Sequence, residues 1–145
     1  MILADFRNYM VGKFLTYAPK IVKEPLETYI NRKLVLVPTE QLDQKFSDAI
    51  SYLQKNEILG DYFEFGVFRG DSMMCMYKAL EKFGITKTRL FGFDSFEGLP
   101  DFTNTGDKNL PWHPGQFKSD FQETKQILDK SGVDWKRVFL IKGWY

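Results

Sequence analysis

The sequence predicts an α/β domain: a parallel sheet with helices on both faces, preceded by N-terminal helices. Three observations carry this reading. From residue 39 onward, short apolar runs alternate with amphipathic helical stretches, the order that builds βαβ crossovers. Each run stops at glycine or turn-forming residues. The 145 residues suffice for one core and not comfortably for two, since domains run about 100 to 150 residues.

The elements follow in order. Phe6, Met10, Phe14 and Tyr17 recur at helical spacing before Pro19, and Leu26, Ile30 and Leu34 do so after Pro25. Two short helices split by prolines are therefore expected over residues 1–38. Thr39 can cap a helix whose face is Leu42, Phe46, Ile50 and Leu53, with Gly60 stopping it. Tyr62, Phe63, Phe65 and Val67 form a near-continuous apolar run, as expected of a strand buried on both faces. Gly66 and Gly70 end it. Asp71 or Ser72 then opens a helix carrying Met73, Met74, Met76, Tyr77, Leu80 and Phe83, closed by Gly84. Arg89 to Phe93 reads as a second strand, followed by the turn residues Glu97, Gly98, Leu99 and Pro100. Residues 101–118, with Gly106, Pro111, Pro114 and Gly115, read as one long loop. Ser119 with Gln122 matches a capping box for a helix through Phe121, Ile127 and Leu128 that ends at Gly132. Val138 to Ile141 is a third strand. The division expected is a helical segment over 1–38 and a sheet domain over 39–145.

Composition narrows the partners. Twenty Lys and Arg against 19 Asp and Glu leave a net charge of +1, too weak a field to attract nucleic acid or an anionic membrane. The aromatics (14 Phe, 7 Tyr, 3 Trp) in a 43% apolar chain exclude disorder over most of its length. The single Cys75 and single His113 exclude an intramolecular disulfide framework and Cys-rich or His-rich metal chemistry. The start lacks a basic stretch followed by the apolar core of about 7 to 15 residues that marks a secretory signal. No apolar run reaches the roughly 20 residues that span a bilayer. A cytoplasmic protein with no membrane partner is the expectation.

In an open α/β sheet, ligands sit beyond the carboxyl ends of the strands. Strand one ends in Glu64-Phe65-Gly66-Val67-Phe68-Arg69-Gly70, strand two in Asp94-Ser95, strand three in Lys142-Gly143-Trp144-Tyr145. An acidic residue at the tip of the second strand suits a ribose diol. A dinucleotide site wants G-x-G-x-x-G, but Phe68 stands at the second glycine position and the last glycine falls one residue early. Asp71 also puts a carboxylate where a pyrophosphate would sit at the helix N-terminus, unless Arg69 offsets it. A cationic, phosphate-free cofactor such as S-adenosylmethionine fits better, with Glu64 and the turn from Gly66 to Gly70 on its methionine part and Asp94 on its ribose.

The stretch from Glu64 to Ser72, the run Phe93-Asp94-Ser95-Phe96-Glu97-Gly98-Leu99-Pro100, and Trp112 with Gly115-Gln116-Phe117 resemble the macrocin O-methyltransferase family over roughly Thr39 to the end. The Asp-Ser-Phe-Glu-Gly-Leu-Pro run is the specific part. The resemblance implies a Rossmann-like class I methyltransferase fold and methylation of a hydroxyl on a small molecule, in the named members a macrolide sugar. It further implies that Glu64, Gly66, Val67, Gly70 and Ser72 line the methionine side of S-adenosylmethionine. Asp94 and Ser95 would meet the ribose and adenine edge, and Gly143 and Trp144 the adenine. The loop holding Trp112 would cover the site, and the N-terminal helices would help form a substrate lid.

Such a fold has seven strands, ordered 3-2-1-4-5-7-6, so the chain is expected to be truncated after the third. In the family the acidic metal ligands and the catalytic base come from the later strands. A divalent metal such as Mg therefore belongs only to a complete chain, and no residue here is assigned as catalytic or as a metal ligand. Strand one without strand four leaves an unpaired apolar edge, so self-association through that edge is expected. Met73, Met74 and Met76 read as core rather than a thioether site, Cys75 as a buried small hydrophobe, His113 as a loop residue, and Arg69 and Lys142 as ordinary exposed charges. A carboxylate inside so apolar a run as that around Glu64 needs a partner. Two alternatives stay open: a non-catalytic nucleoside- or protein-binding module of the same fold, and a dehydrogenase, with which Phe68 and Asp71 already conflict.

Overall fold

The computed structural model describes residues 14, 17–33, 37–101 and 114–145. The expectations placed on Phe6, Met10, Leu34, Gly106, Pro111, Trp112 and His113 lie outside the described residues. The chain groups into two compact units, residues 35–96 with 120–145, and residues 1–34 with 97–119.

The first unit holds the sheet. Helix α2 (Thr39–Lys55) leads to β1 (Tyr62–Phe65), α3 (Asp71–Lys82), β2 (Leu90–Asp94), α4 (Phe121–Lys130) and β3 (Val138–Lys142). The strands lie in the order β1-β2-β3, every pair parallel. In register, Tyr62 faces Leu90 and Leu90 faces Val138, while Glu64 faces Gly92 and Gly92 faces Leu140. This row looks onto the helices, where Ile50, Met73, Leu80, Leu90, Leu128 and Val138 form one buried cluster. Met73 and Met76 are core, as the sequence implies. Cys75 is buried too, and desolvation pushes its thiol up to about 12, leaving it protonated at neutral pH.

The opposite row corrects the expectation that β1 is buried on both faces. Phe63 and Phe65 are 54% and 62% exposed, and Phe139 and Ile141 are also exposed. The phenylalanine rings stack across the strands instead. Phe63 lies 5.1 Å from Phe91, Phe91 lies 5.0 Å from Phe139, and Phe65 lies 5.1 Å from Phe93, all nearly parallel. Strand propensity and register alone align them, because residues paired in a ladder project to the same side. The helices described in this unit share the other face, and β1 is an edge strand among the described residues.

Helix boundaries differ from the sequence reading where a local bond outranks a residue preference. Pro38 rather than Thr39 is the N-cap of α2. That helix ends at Asn56, well before Gly60: Glu57 takes the left-handed conformation, its N–H donates to the Gln54 carbonyl, and that of Ile58 to Leu53, the double bond of a Schellman stop. At α4 the cap is Asp120, not Ser119. The Asp120 carboxylate accepts from the Glu123 N–H at 2.8 Å, and its charge suits the positive helix end. Gly84 and Gly132 follow α3 and α4 in the left-handed conformation, as expected.

In the second unit, α1 (Lys20–Lys33) runs through Pro25, so that proline does not separate helices as expected. It omits one backbone bond near the helix start, while the first turn is secured by Val22 and Lys23 N–H groups on the Pro19 carbonyl. In the same unit Leu99 N–H donates to the Gln116 carbonyl and Gly115 N–H to the Leu99 carbonyl, both at 2.8 Å. No helix among the described residues is long and apolar enough to cross a membrane.

Gly92, at the centre of β2, has no room for a side chain. A Cβ there would stand 2.5 Å from the Met73 Cε and 2.7 Å from the Val67 Cγ2. Gly92→Ala is therefore expected to lower stability by about 1 to 3 kcal/mol through overpacking, read as a reduced urea midpoint with an unchanged m value.

Candidate functional site

The carboxyl ends of all three strands meet at one place. Gly66 N–H donates to the Phe93 carbonyl at 2.8 Å, and Gly143 N–H to the Asp94 carbonyl at 2.9 Å. The chain then turns from β1 into α3 through a bend in which Gly66, Phe68 and Gly70 all have positive φ, +94°, +53° and +83°. Gly70 is the N-cap of α3, and a Cβ on it would press into the Leu128 side chain at 3.2 Å. Glycine thus serves there for both its φ and its lack of bulk.

Asp94 joins the strand tip to this bend. One carboxylate oxygen accepts from the Phe68 N–H at 2.8 Å and the other from the Phe96 N–H at 2.6 Å. Asp94 is half-buried, and each oxygen keeps a lone pair for a further donor. The partner missed by the sequence reading is the Phe68 peptide; the left-handed turn that aims it leaves no mark in residue type.

Glu64 is buried on the helix-facing side of β1. Tyr62 Oη donates to one of its oxygens at 2.7 Å and Ser72 Oγ to the other at 2.5 Å. The partner that so apolar a setting demands is thus supplied by this chain. Burial pushes the Glu64 carboxyl above the ordinary glutamate range; the Ser72 and Tyr62 bonds oppose the rise and the Asp94 charge adds to it. Tyr62, desolvated and beside that carboxylate, is pushed up as well.

The other expected site residues divide. Val67 is buried, with its side chain against the centre of β2, so it offers backbone to the bend. Ser95 is buried. Trp144 is 59% exposed. Tyr145 reaches Gly66: a Cβ on that glycine would lie 3.4 Å from the Tyr145 hydroxyl. Arg69 is not a free exposed charge, since it pairs with Asp71 at 3.0 Å. That pair offsets the repulsion that Asp71 would exert on a phosphate, so the case against a dinucleotide rests on Phe68 and on the glycine that falls one residue early. Among the described residues no group of three or more His, Cys, Asp or Glu could hold a metal ion.

A glycine bend tied to an acidic strand tip is a geometry shared by many nucleoside-binding folds, and relatives decide among them. The family model of macrocin-O-methyltransferase (TylF) matches residues 33–145. The chain belongs to the macrocin O-methyltransferase family. A curated protein of similar sequence is 8-demethyl-8-(2,3-dimethoxy-alpha-L-rhamnosyl)-tetracenomycin-C 4'-O-methyltransferase from Streptomyces olivaceus, 29% identical over 91 residues, covering 59% of this chain and 35% of that protein. Two solved structures share the fold. The O-methyltransferase NovP superposes with a TM-score of 0.63 at 21% identity, over 70% of this chain and 44% of NovP. The calicheamicin methyltransferase CalS11 superposes with a TM-score of 0.57 at 24% identity, over 95% of this chain and 57% of CalS11. The chain spans about a third of the curated relative's length and about half of these two. The Rossmann-like architecture of this macrocin O-methyltransferase family chain accords with both.

The raised Glu64 carboxyl carries a pH signature. A native state that holds this proton to higher pH than the unfolded chain binds more protons between the two values, so stability falls as pH rises through that window. Glu64→Gln is expected to flatten that fall, checked by urea unfolding of both proteins from about pH 4 to 8.

Proposed function

We propose that the chain carries the cofactor-binding part of an S-adenosylmethionine-dependent O-methyltransferase that acts on a hydroxyl of a sugar-bearing natural product. The observation that carries the reading is Asp94, a carboxylate held at the glycine bend with acceptor capacity to spare. Family membership supplies the reaction class, and the curated relative, named for methylation at the 4' position of a rhamnosyl tetracenomycin, supports a glycosylated acceptor. The cofactor, when bound, supplies an electrophilic methyl group on a sulfonium.

The chain's own residues then have separable tasks. Asp94 accepts from the ribose hydroxyls while its inner lone pairs keep the bend in place. Gly66, exposed and without a side chain, lets the methionine portion approach the backbone. Val67 and Gly70 add backbone to the same wall. Glu64, with Ser72 fixing one oxygen, places negative character near the cofactor's amino group and sulfonium. Ser95, Gly143 and Trp144 lie at the tips of β2 and β3, suited to the adenine. No step is assigned to a base or a metal ion.

Calorimetry with S-adenosylmethionine tests this. Asp94→Ala is expected to weaken binding about 10- to 100-fold, the worth of one charge-assisted hydrogen bond. Unchanged affinity in that variant, or uptake of NAD in place of S-adenosylmethionine by the unmutated chain, overturns the reading.

A second reading, a non-catalytic module that binds a protein through its aromatic surface, is favoured by the exposed Phe63, Phe65 and Phe139 ladder. The same ladder, next to the edge that β1 leaves unpaired among the described residues, supports self-association of the isolated chain. A concentration-independent monomer in sedimentation velocity counts against association.

A further inference from the structure

Phe68 is the one residue of the bend whose left-handed backbone is not relieved by being glycine. An L side chain at φ +53° is disfavoured, so something must hold it. Its peptide groups are gripped from two elements. Asp94 at the tip of β2 accepts from its N–H at 2.8 Å, and Thr124 in the first turn of α4 donates its hydroxyl to the Phe68 carbonyl at 2.9 Å. Thr124 is 1% exposed. A threonine hydroxyl inside a helix can turn back to the carbonyl four residues earlier; that of Thr124 reaches across to Phe68 instead, while its N–H makes the regular helix bond to the Asp120 carbonyl at 2.9 Å. One turn further along α4, Leu128 fills the space beside Gly70. The face of α4 that carries positions 124 and 128 therefore seats the bend at its middle and at its helix end.

We infer that Thr124 is a positioning residue of the cofactor site: its hydroxyl holds Phe68 in the left-handed turn, and that turn aims the Phe68 N–H at Asp94 and orients the carboxylate. The inference rests on the reading of this bend as an S-adenosylmethionine site. Loss of the hydroxyl removes the bond that Thr124 gives the Phe68 carbonyl. Phe68 then relaxes toward ordinary φ, its N–H leaves Asp94, and the carboxylate loses its fixed direction.

The test compares Thr124→Val, nearly isosteric but without the hydroxyl, with Thr124→Ser, which keeps it. Ile50→Val, in α2 and outside both the bend and α4, serves as a core variant to separate loss of stability from loss of positioning. Two quantities are measured at a temperature where all are folded: S-adenosylmethionine affinity by calorimetry, and the hydrogen-exchange rate of the Phe68 amide by NMR. Thr124→Val is expected to weaken binding about 10-fold and to speed Phe68 exchange about 10-fold or more, the effect of one hydrogen bond. Thr124→Ser and Ile50→Val are expected to leave both near the unmutated values. Unmutated affinity in Thr124→Val, or equal weakening in Ile50→Val, overturns the inference. If the unmutated chain takes up no S-adenosylmethionine, the functional reading fails, and Phe68 exchange alone decides the clamp: faster in Thr124→Val upholds it, unchanged overturns it.

Discussion

The carboxylate of Asp94 accepts two backbone N–H groups, from Phe68 and from Phe96, and much of the site depends on that pair of bonds. They fasten the tip of the central strand to the bend leaving its neighbour, and they start the turn that follows β2. Hydrogen bonds to a charged acceptor are among the stronger ones in proteins, about 1.5 to 3 kcal/mol each. They are also directional, so they set where the remaining lone pairs point. A strand tip that would otherwise fray becomes a fixed acceptor beside the glycine bend.

The helix-facing side of the sheet shows why this arrangement is stable. Gly92 in the middle of β2 admits Met73 and Val67, which brings α3 and the bend down onto the strands. Leu128 from α4 closes over Gly70. Arg137 ties the far end of the same layer, with bonds to the carbonyls of Thr88 and Ile85 and an ion pair to Glu81 at 2.7 Å. Hydrophobic burial holds the layer together while hydrogen bonds at its two ends set the register. Glu64 belongs to this layer as well as to the site, because its burial raises its proton affinity and Tyr62 and Ser72 make that burial tolerable.

The other side of the sheet obeys different physics. Phe63, Phe91 and Phe139 stack in one row and Phe65 with Phe93 in the next, so among the described residues of this unit aromatic contact stands where a covering layer would. The apolar run Tyr62-Phe63-Phe65 reads in sequence as a strand buried on both faces, and the error has a physical cause. Hydrophobicity reports what a face prefers, not what is present to cover it.

The strand-helix alternation, the three strand tips and the acidic tip at Asp94 were legible from sequence, because periodicity and glycine placement act over a few residues. The Asp-Ser-Phe-Glu-Gly-Leu-Pro run was specific enough to point to the family. Helix ends at Asn56 and Asp120 were not, since a two-bond stop at Glu57 and a carboxylate cap compete with equally plausible residues nearby. Nor was the grip on Phe68, which joins residues 26 and 56 positions apart. Local sequence determined the elements and their order; only the packing of β2 and α4 against the β1–α3 bend decided the partners of Phe68, because long-range contacts leave no period in the chain.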